Sequence, residues 1–221
     1  MRPIVAIDGP AGSGKSTVAR AVAARLGVPV LDTGAMYRAV TVAVLRAGVD
    51  PDDADAVARV AGAVALTVDE RVHLDGADVT DEIRGTAATA AVSAVSAVPG
   101  VRRILVERQR AWVLEHGGGV VEGRDIGTVV LPDAAVKVFL TAPPEVRAER
   151  RRGDELAARR AAAVDAVLAD LERRDQLDST RVVSPLQPAD DAVIIDTAGL
   201  SVEDVVDQVV SMVEQAGEAS R

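Results

Sequence analysis

The stretch Gly9-Pro10-Ala11-Gly12-Ser13-Gly14-Lys15-Ser16-Thr17 has the residue types and the spacing that cradle a phosphate chain. It follows the apolar run Ile4-Val5-Ala6-Ile7-Asp8 and precedes Val18, Ala19, Val22, Ala23 and Leu26, which recur like one face of a helix. Glycines let successive backbone N–H groups turn inward around phosphate oxygens, and the following helix N-terminus adds partial positive charge. At this spacing Lys15 is expected to reach the β- and γ-phosphates, and the Ser16 hydroxyl to ligate Mg²⁺. The choice of lysine is informative. The chain uses arginine for almost every cation and lysine only at Lys15 and Lys137. A compact ammonium on a flexible stem reaches over phosphates in a way that a planar guanidinium does not. Lys137, in Val136-Lys137-Val138-Phe139-Leu140, has no such context and reads as a solvated strand-end residue.

In an open parallel sheet, ligands bind beyond the carboxyl ends of the strands. Asp32-Thr33, Gly123-Arg124-Asp125 and the residues after Thr141 should lie there beside the loop at Gly9. That edge gathers Lys15, Arg38, Arg124, Arg147, Arg150 and Arg151, although the whole chain carries a formal charge of −9. Such a cluster suits a ligand with several phosphates. The acidic balance argues against a general nucleic-acid binder. There is no cysteine, and the two histidines, His73 in a predicted hairpin and His116 at a helix end, lie outside the cluster. Transfer to a hydroxyl usually needs a base, whereas a phosphate monoester is largely ionised at neutral pH. Many arginines without a histidine base therefore fit phosphate-to-phosphate transfer, carried by positioning and charge neutralisation. Two other readings stay open at this level. One is a kinase for another acceptor, such as UMP, AMP or a hydroxylated metabolite; the other is a nucleotide-dependent switch, against which the missing Asn-Lys-x-Asp guanine motif speaks.

The elements that must position these residues follow from the patterning of 221 residues, 48% of them apolar. Runs at Ile4–Asp8, Val28–Asp32, Val120–Glu122, Ala135–Thr141 and Val193–Asp196 predict five buried strands, alternating with helices in a doubly wound α/β sheet. Helices are expected over Ala35–Ala47, from Asp50-Pro51-Asp52, over 86–98, over Val101–His116 after a break at Pro99-Gly100, through the arginine-dense 144–175, and from an N-cap at Ser201. Period-two alternation from Val64, with a turn at Asp75-Gly76, predicts a small antiparallel meander within 64–84. No apolar run reaches spanning length and the opening residues carry no signal pattern, so a cytoplasmic protein with no membrane partner is the expectation. No extended apolar surface helix is left over, so a monomer is expected, and the acidic charge speaks against a nucleic-acid partner.

Four motifs, Asp8–Ser16, Leu31-Asp32-Thr33-Gly34-Ala35-Met36-Tyr37-Arg38, Glu122-Gly123-Arg124-Asp125-Ile126-Gly127-Thr128 and Arg174-Asp175 through Arg181-Val182-Val183-Ser184-Pro185-Leu186, together resemble the bacterial cytidylate kinases. The likeness runs nearly end to end and includes Val79-Thr80-Asp81-Glu82-Ile83-Arg84. It implies a P-loop fold with a core (1–32, 118–143 and 176–217), a monophosphate-binding lobe with the β insert (33–117) and a helical lid (about 144–175). It also implies Mg²⁺-dependent transfer of the γ-phosphoryl of ATP to CMP or dCMP. Carried over residue by residue, Gly9 to Thr17 hold the ATP phosphates, and Lys15, Arg124, Arg181, Arg150 and Arg151 serve catalysis. Arg38, Arg124 and Arg181 hold the acceptor phosphate; Ser93, Arg102 and Asp125 read cytosine; Arg174 and Asp178 lie near the ribose; Thr33 and Tyr37 complete the set. Thr33 stands where the family usually has serine, and residues 147–160 are shorter and richer in alanine than the family's lid.

Overall fold

The computed structural model describes residues 2–157 and 164–219. In chain order the elements are β1 (Ile4–Asp8), α1 (Lys15–Leu26), β2 (Val30–Asp32), α2 (Thr33–Arg46), α3 (Ala54–Ala63), β3 (Leu66–Val68), β4 (Val72–Leu74) and β5 (Ala77–Asp78). A short 3₁₀ turn, α4 (Thr86–Ala97), α5 (Pro99–His116), β6 (Gly119–Gly123), a π-helical turn (Ile126–Val130) and β7 (Val136–Thr141) follow. The last elements are α6 (Pro144–Ala157), α7 (Val164–Ser179), β8 (Val193–Asp196) and α8 (Val202–Ala219). The part of the expected lid at 158–163 lies outside the described residues.

The chain divides into two compact units, Met1–Pro29 with Gly118–Arg221, and Val30–Gly117. In the first, β1 is paired in parallel on both sides, with Val5 opposite Val120 of β6 and Val136 of β7. β8 joins β7 in parallel, Val138 opposite Val193. The five-stranded parallel sheet has the order β2-β6-β1-β7-β8. Strands covered on both faces must be apolar almost throughout, which is why Val5, Ala6, Ile7, Val120, Val121, Val138 and Leu140 are all buried. α1 packs on β6 and α8 through Val18, Val22, Val205 and Val209.

The second unit is helical with a small sheet. α2 packs on α4 and α3 on α5. β3, β4 and β5 form the expected meander, with Val68 opposite Val72 and His73 opposite Asp78. Val72 and Leu74 turn inward, as the alternation requires.

Several boundaries differ from expectation for local reasons. The expected break between the two helices is present but falls at Val98, with α4 and α5 bent by 93°; Pro99 starts α5, where its missing N–H would have had no partner anyway. Asp32 caps α2 by accepting from the Ala35 N–H at 2.9 Å, so the helix opens at Thr33, and Asp53 caps α3 in the same way. Ser201 is the N-cap of α8 as expected, in a reciprocal pair with Asp204. The π-helical turn after β6 was not anticipated: Val130 and Leu131 donate to Asp125 and Ile126, one residue further back than in an α-helix. Lys137 is a correction. Its side chain is only 9% exposed and its ammonium pairs with Asp191 at 2.7 Å, so it is a sheet residue with a dedicated partner. Among the described residues, no single helix is long and apolar enough to cross a membrane.

The loop that follows β1 is shaped by glycine at two points. Gly9 has φ 147°, and a Cβ there would run into the backbone carbonyl of Leu140 on β7. Gly12, at φ 77°, has the Arg147 carbonyl 2.8 Å from where its Cβ would stand. Gly9→Ala should therefore cost about 1–3 kcal/mol through overpacking and strain. That corresponds to a fall of roughly 2–12 °C in Tm, read by calorimetry.

Candidate active site

The glycine loop joins β1 to α1 within the first unit, so its backbone N–H groups precede a helix N-terminus. Lys15 opens that helix and is 7% exposed; its ammonium donates to the Pro10 carbonyl at 2.6 Å, folding the side chain back over the loop. Burial, with the Arg124 guanidinium adding to it, pushes Lys15 down to about 7, against the opposing pull of Glu122, Asp8 and Asp175. An anionic ligand would remove that penalty. Ser13 is fully buried and donates to Pro10, Ser16 is half-buried, and Thr17 is exposed.

Ser16 is held by a residue that the sequence reading did not single out. Its hydroxyl donates to a Glu122 carboxylate oxygen at 2.9 Å, and Glu122, at the end of β6, is 4% exposed. A buried acid ending an otherwise apolar strand beside the loop was the available signal. The two side chains offer hard oxygen donors next to the phosphate loop, a set that suits Mg²⁺, which takes few protein ligands and keeps several waters.

Beyond Glu122 the chain presents Arg124 and Asp125. Arg124 donates to Asp178 at 2.9 Å and to the Gly9 carbonyl at 3.1 Å. Asp178, near the end of α7, also faces the Arg181 guanidinium at 3.6 Å, and Arg174 is buried one turn earlier on the same helix. Burial pushes the Asp178 carboxyl up, but Arg124 and Arg181 outweigh it and hold the group below its ordinary value. One carboxylate thus fixes two of the expected phosphate-binding arginines, a role the sequence did not suggest for Asp178, which was expected only near the ribose. Asp125 is 4% exposed and its carbonyl anchors the π-helical turn.

Asp8 ends β1, is 5% exposed, and accepts from the N–H groups of Ile126 at 2.8 Å and Gly127 at 2.7 Å. Burial pushes it up to about 6 despite those two bonds. Asp175 accepts from the Ala11 N–H at 3.4 Å and pairs with Arg147, which itself donates to the carbonyls of Ala142 and Ala11. Arg147 is therefore a brace for the loop. Arg150 donates to Thr197 at 2.8 and 2.9 Å, and Thr197 donates in turn to the Ser13 carbonyl. Arg151 lies on α6.

In the second unit, Thr33, Tyr37 and Arg38 lie on α2, Ser93 on α4 and Arg102 on α5. Arg102 is 3% exposed, stacks over the Tyr37 ring at 5.3 Å and donates to the Ser96 carbonyl at 3.3 Å. Arg38 donates to the Ile83 carbonyl and the Thr89 hydroxyl, both at 3.1 Å. Ser93 is half-buried one turn before Ser96.

A parallel sheet with a glycine loop feeding a helix, a buried lysine and paired arginines defines a P-loop nucleotide kinase. The fold is shared with a solved structure of an uncharacterized protein from Eubacterium ventriosum, at 14% identity and a TM-score of 0.54, covering 97% of this chain and 99% of that one. The cytidylate kinase family model matches residues 5–215, and the chain belongs to that family. It is 56% identical to a cytidylate kinase of Mycobacterium avium, over 99% of this chain and 98% of that protein. It is also 56% identical to one of Rhodococcus opacus, over 96% of this chain and 95% of that protein.

The buried pair at Asp178 has a stability consequence. Asp178→Asn should lower the urea midpoint at neutral pH, because removing one partner of a buried pair costs about 3–5 kcal/mol. Asp178 is depressed below its ordinary 3.8 in the folded state, so its contribution is present above that pH. It is lost as the pH falls through the depressed value, and the two proteins should converge toward acid.

Proposed function

We propose that the chain transfers the γ-phosphoryl of ATP to CMP or dCMP, giving ADP and CDP or dCDP, without a general base. The observation that carries this reading is the Asp178-centred pair of arginines, Arg181 and Arg124, the latter next in sequence to the buried Asp125. Membership of the cytidylate kinase family supports the reaction. The acceptor phosphate oxygen, ionised at neutral pH, attacks the γ-phosphorus as the bond to the β-bridging oxygen breaks. Gly9 to Thr17 hold the donor phosphates, and Lys15 leaves the Pro10 carbonyl to meet the β- and γ-oxygens. Arg124 and Arg181, oriented by Asp178, neutralise the acceptor phosphate and the charge that develops in transfer. Arg150 and Arg151, on α6, are the proposed lid contribution.

Ser16 and Glu122 are the residues that would hold Mg²⁺. When bound, the ion would offset the charge of the donor phosphates. Ser16→Ala and Glu122→Gln should each raise the Mg²⁺ concentration needed for half-maximal turnover, with CMP affinity little changed.

For the base, Asp125 accepts from the exocyclic amino group of cytosine. Uracil presents an oxygen there, leaving a carboxylate facing an acceptor, and a site built this way rejects the analogue. From the second unit, the proposed CMP residues are Arg38 for the phosphate, Arg102 and Ser93 for the ring, and Thr33 and Tyr37 beside them. Arg174 and Asp178 are the proposed ribose neighbours. We read the enzyme as a cytoplasmic monomer whose partners are these nucleotides.

The test is coupled ADP release from MgATP with CMP, dCMP, UMP, AMP, GMP and no acceptor. Strong turnover with CMP and dCMP and little with the rest is expected; hydrolysis indifferent to every acceptor would overturn the reading. Asp125→Ala should cut kcat/KM for CMP by about tenfold or more while leaving ATP binding near normal. Equal loss of both would assign Asp125 a structural role.

A further inference from the structure

Asp8 is not needed by the reaction described above, yet it is among the most buried charged groups of the first unit. Its carboxylate meets two consecutive N–H groups, Ile126 and Gly127, and both bonds are short and buried. Those donors directly follow Asp125 in sequence. Holding the Ile126 nitrogen fixes the peptide plane that ends at the Asp125 carbonyl carbon, and with it the point from which the Asp125 side chain departs. On the other side, Arg124 donates to the carbonyl of Gly9, the residue after Asp8. The dipeptide Asp8-Gly9 therefore grips the Arg124–Gly127 segment at both ends, and Gly9 is also where the phosphate loop begins.

We infer that Asp8 is a positioning residue for cytosine selectivity, fixing the Asp125 carboxylate in register with the phosphate loop. The inference rests on the reading of Asp125 as the group that accepts from the cytosine amino group. A simple helix-capping role is the competing account, since the first N–H groups of any helical turn need partners. Capping alone affects stability; positioning also affects which base is accepted.

The chemistry of the carboxylate separates the two. Only the ionised group can accept from both N–H donors with its two oxygens. Protonation turns one oxygen into a donor facing an N–H and releases one bond. With the group raised to about 6 by burial, that change falls in an accessible range. The charged groups around it are Asp125, which raises it further, and Lys15, which lowers it. On the neighbouring strands, Glu122 is engaged by Ser16, Arg124 by Asp178, and Lys137 by Asp191. Selectivity should therefore fall as the pH drops through about 6. The acceptor phosphate also titrates near there, but CMP and UMP share that titration and the ratio of their kcat/KM values cancels it.

The experiment measures the CMP-to-UMP ratio of kcat/KM from about pH 5 to 8 for the wild type, Asp8→Asn and Asp125→Ala, with KM for ATP and Tm followed in parallel. The expected result is a wild-type ratio that falls toward acid, and an Asp8→Asn ratio reduced about tenfold and flat with pH. Its KM for ATP should stay within about twofold of the wild type, since the amide opposes one N–H without disturbing the loop's own hydrogen bonds. A lowered Tm with an unchanged ratio and an unchanged pH profile would reduce Asp8 to a cap and overturn the inference. Should Asp8→Asn not fold, the wild-type profile decides, a ratio independent of pH being the contrary result. Asp125→Ala tells the two failures apart. If it destroys selectivity while Asp8→Asn does not, only the role of Asp8 falls; if it leaves selectivity intact, the assignment of Asp125 falls and that of Asp8 with it.

Discussion

The first unit depends on burying cations of like sign beside one another before any ligand arrives. Lys15 and Arg124 stand at the ends of adjacent elements, and each makes the charge of its neighbour more costly to keep; Arg124 is among the causes that lower Lys15. Burying an unpaired charge costs several kcal/mol, so the chain surrounds the two with acids on different elements: Asp8 on β1, Glu122 on β6, and Asp175 and Asp178 on α7. These carboxylates are shared out among specific partners. Asp178 takes Arg124, Asp175 takes Arg147 and the Ala11 N–H, Glu122 takes the Ser16 hydroxyl, and Asp8 takes backbone. The cations stay oriented, and a phosphate chain is the ligand whose charge they lack.

This arrangement depends on where the sheet ends its strands. The sheet brings the ends of β1 and β6 side by side, Asp8 opposite Gly123, so the loop after one and the Arg-Asp pair after the other start from fixed points. α7 closes the set from the far end of the chain. An overall acidic protein can thus hold an anion, because its local geometry and not its net charge sets the field that the ligand meets.

How much of this was legible in the sequence follows from range. The phosphate loop, the five strands and the meander are local patterns: a glycine spacing, apolar runs and period-two alternation with a turn at Asp75-Gly76. The resemblance carried by four motifs led to the family that the comparison then identified. What the sequence did not disclose are pairings between distant positions. Ser16 meets Glu122 across 106 residues, Gly127 meets Asp8 across 119, and Ala11 meets Asp175 across 164. No local propensity encodes such contacts; they follow from strand order and helix packing. Lys137 shows the same limit in reverse. Read locally it was a solvated lysine, but it is covered and paired with Asp191, 54 residues away. The π-helical turn escaped because Ile126–Val130 is an apolar run with no periodic signal of its own.

The central claim is that positioned charge, and no titrating base, carries phosphoryl transfer. Its most direct test is the single-turnover rate of transfer with MgATP and CMP both saturating, followed from about pH 6.5 to 8.5. The rate should be independent of pH, because the bound acceptor phosphate is already ionised, the arginines stay charged, and the bound phosphates remove the burial penalty that lowers Lys15 in the free protein. A rate that falls tenfold per pH unit toward acid at saturation would require a base in the site and would contradict the account.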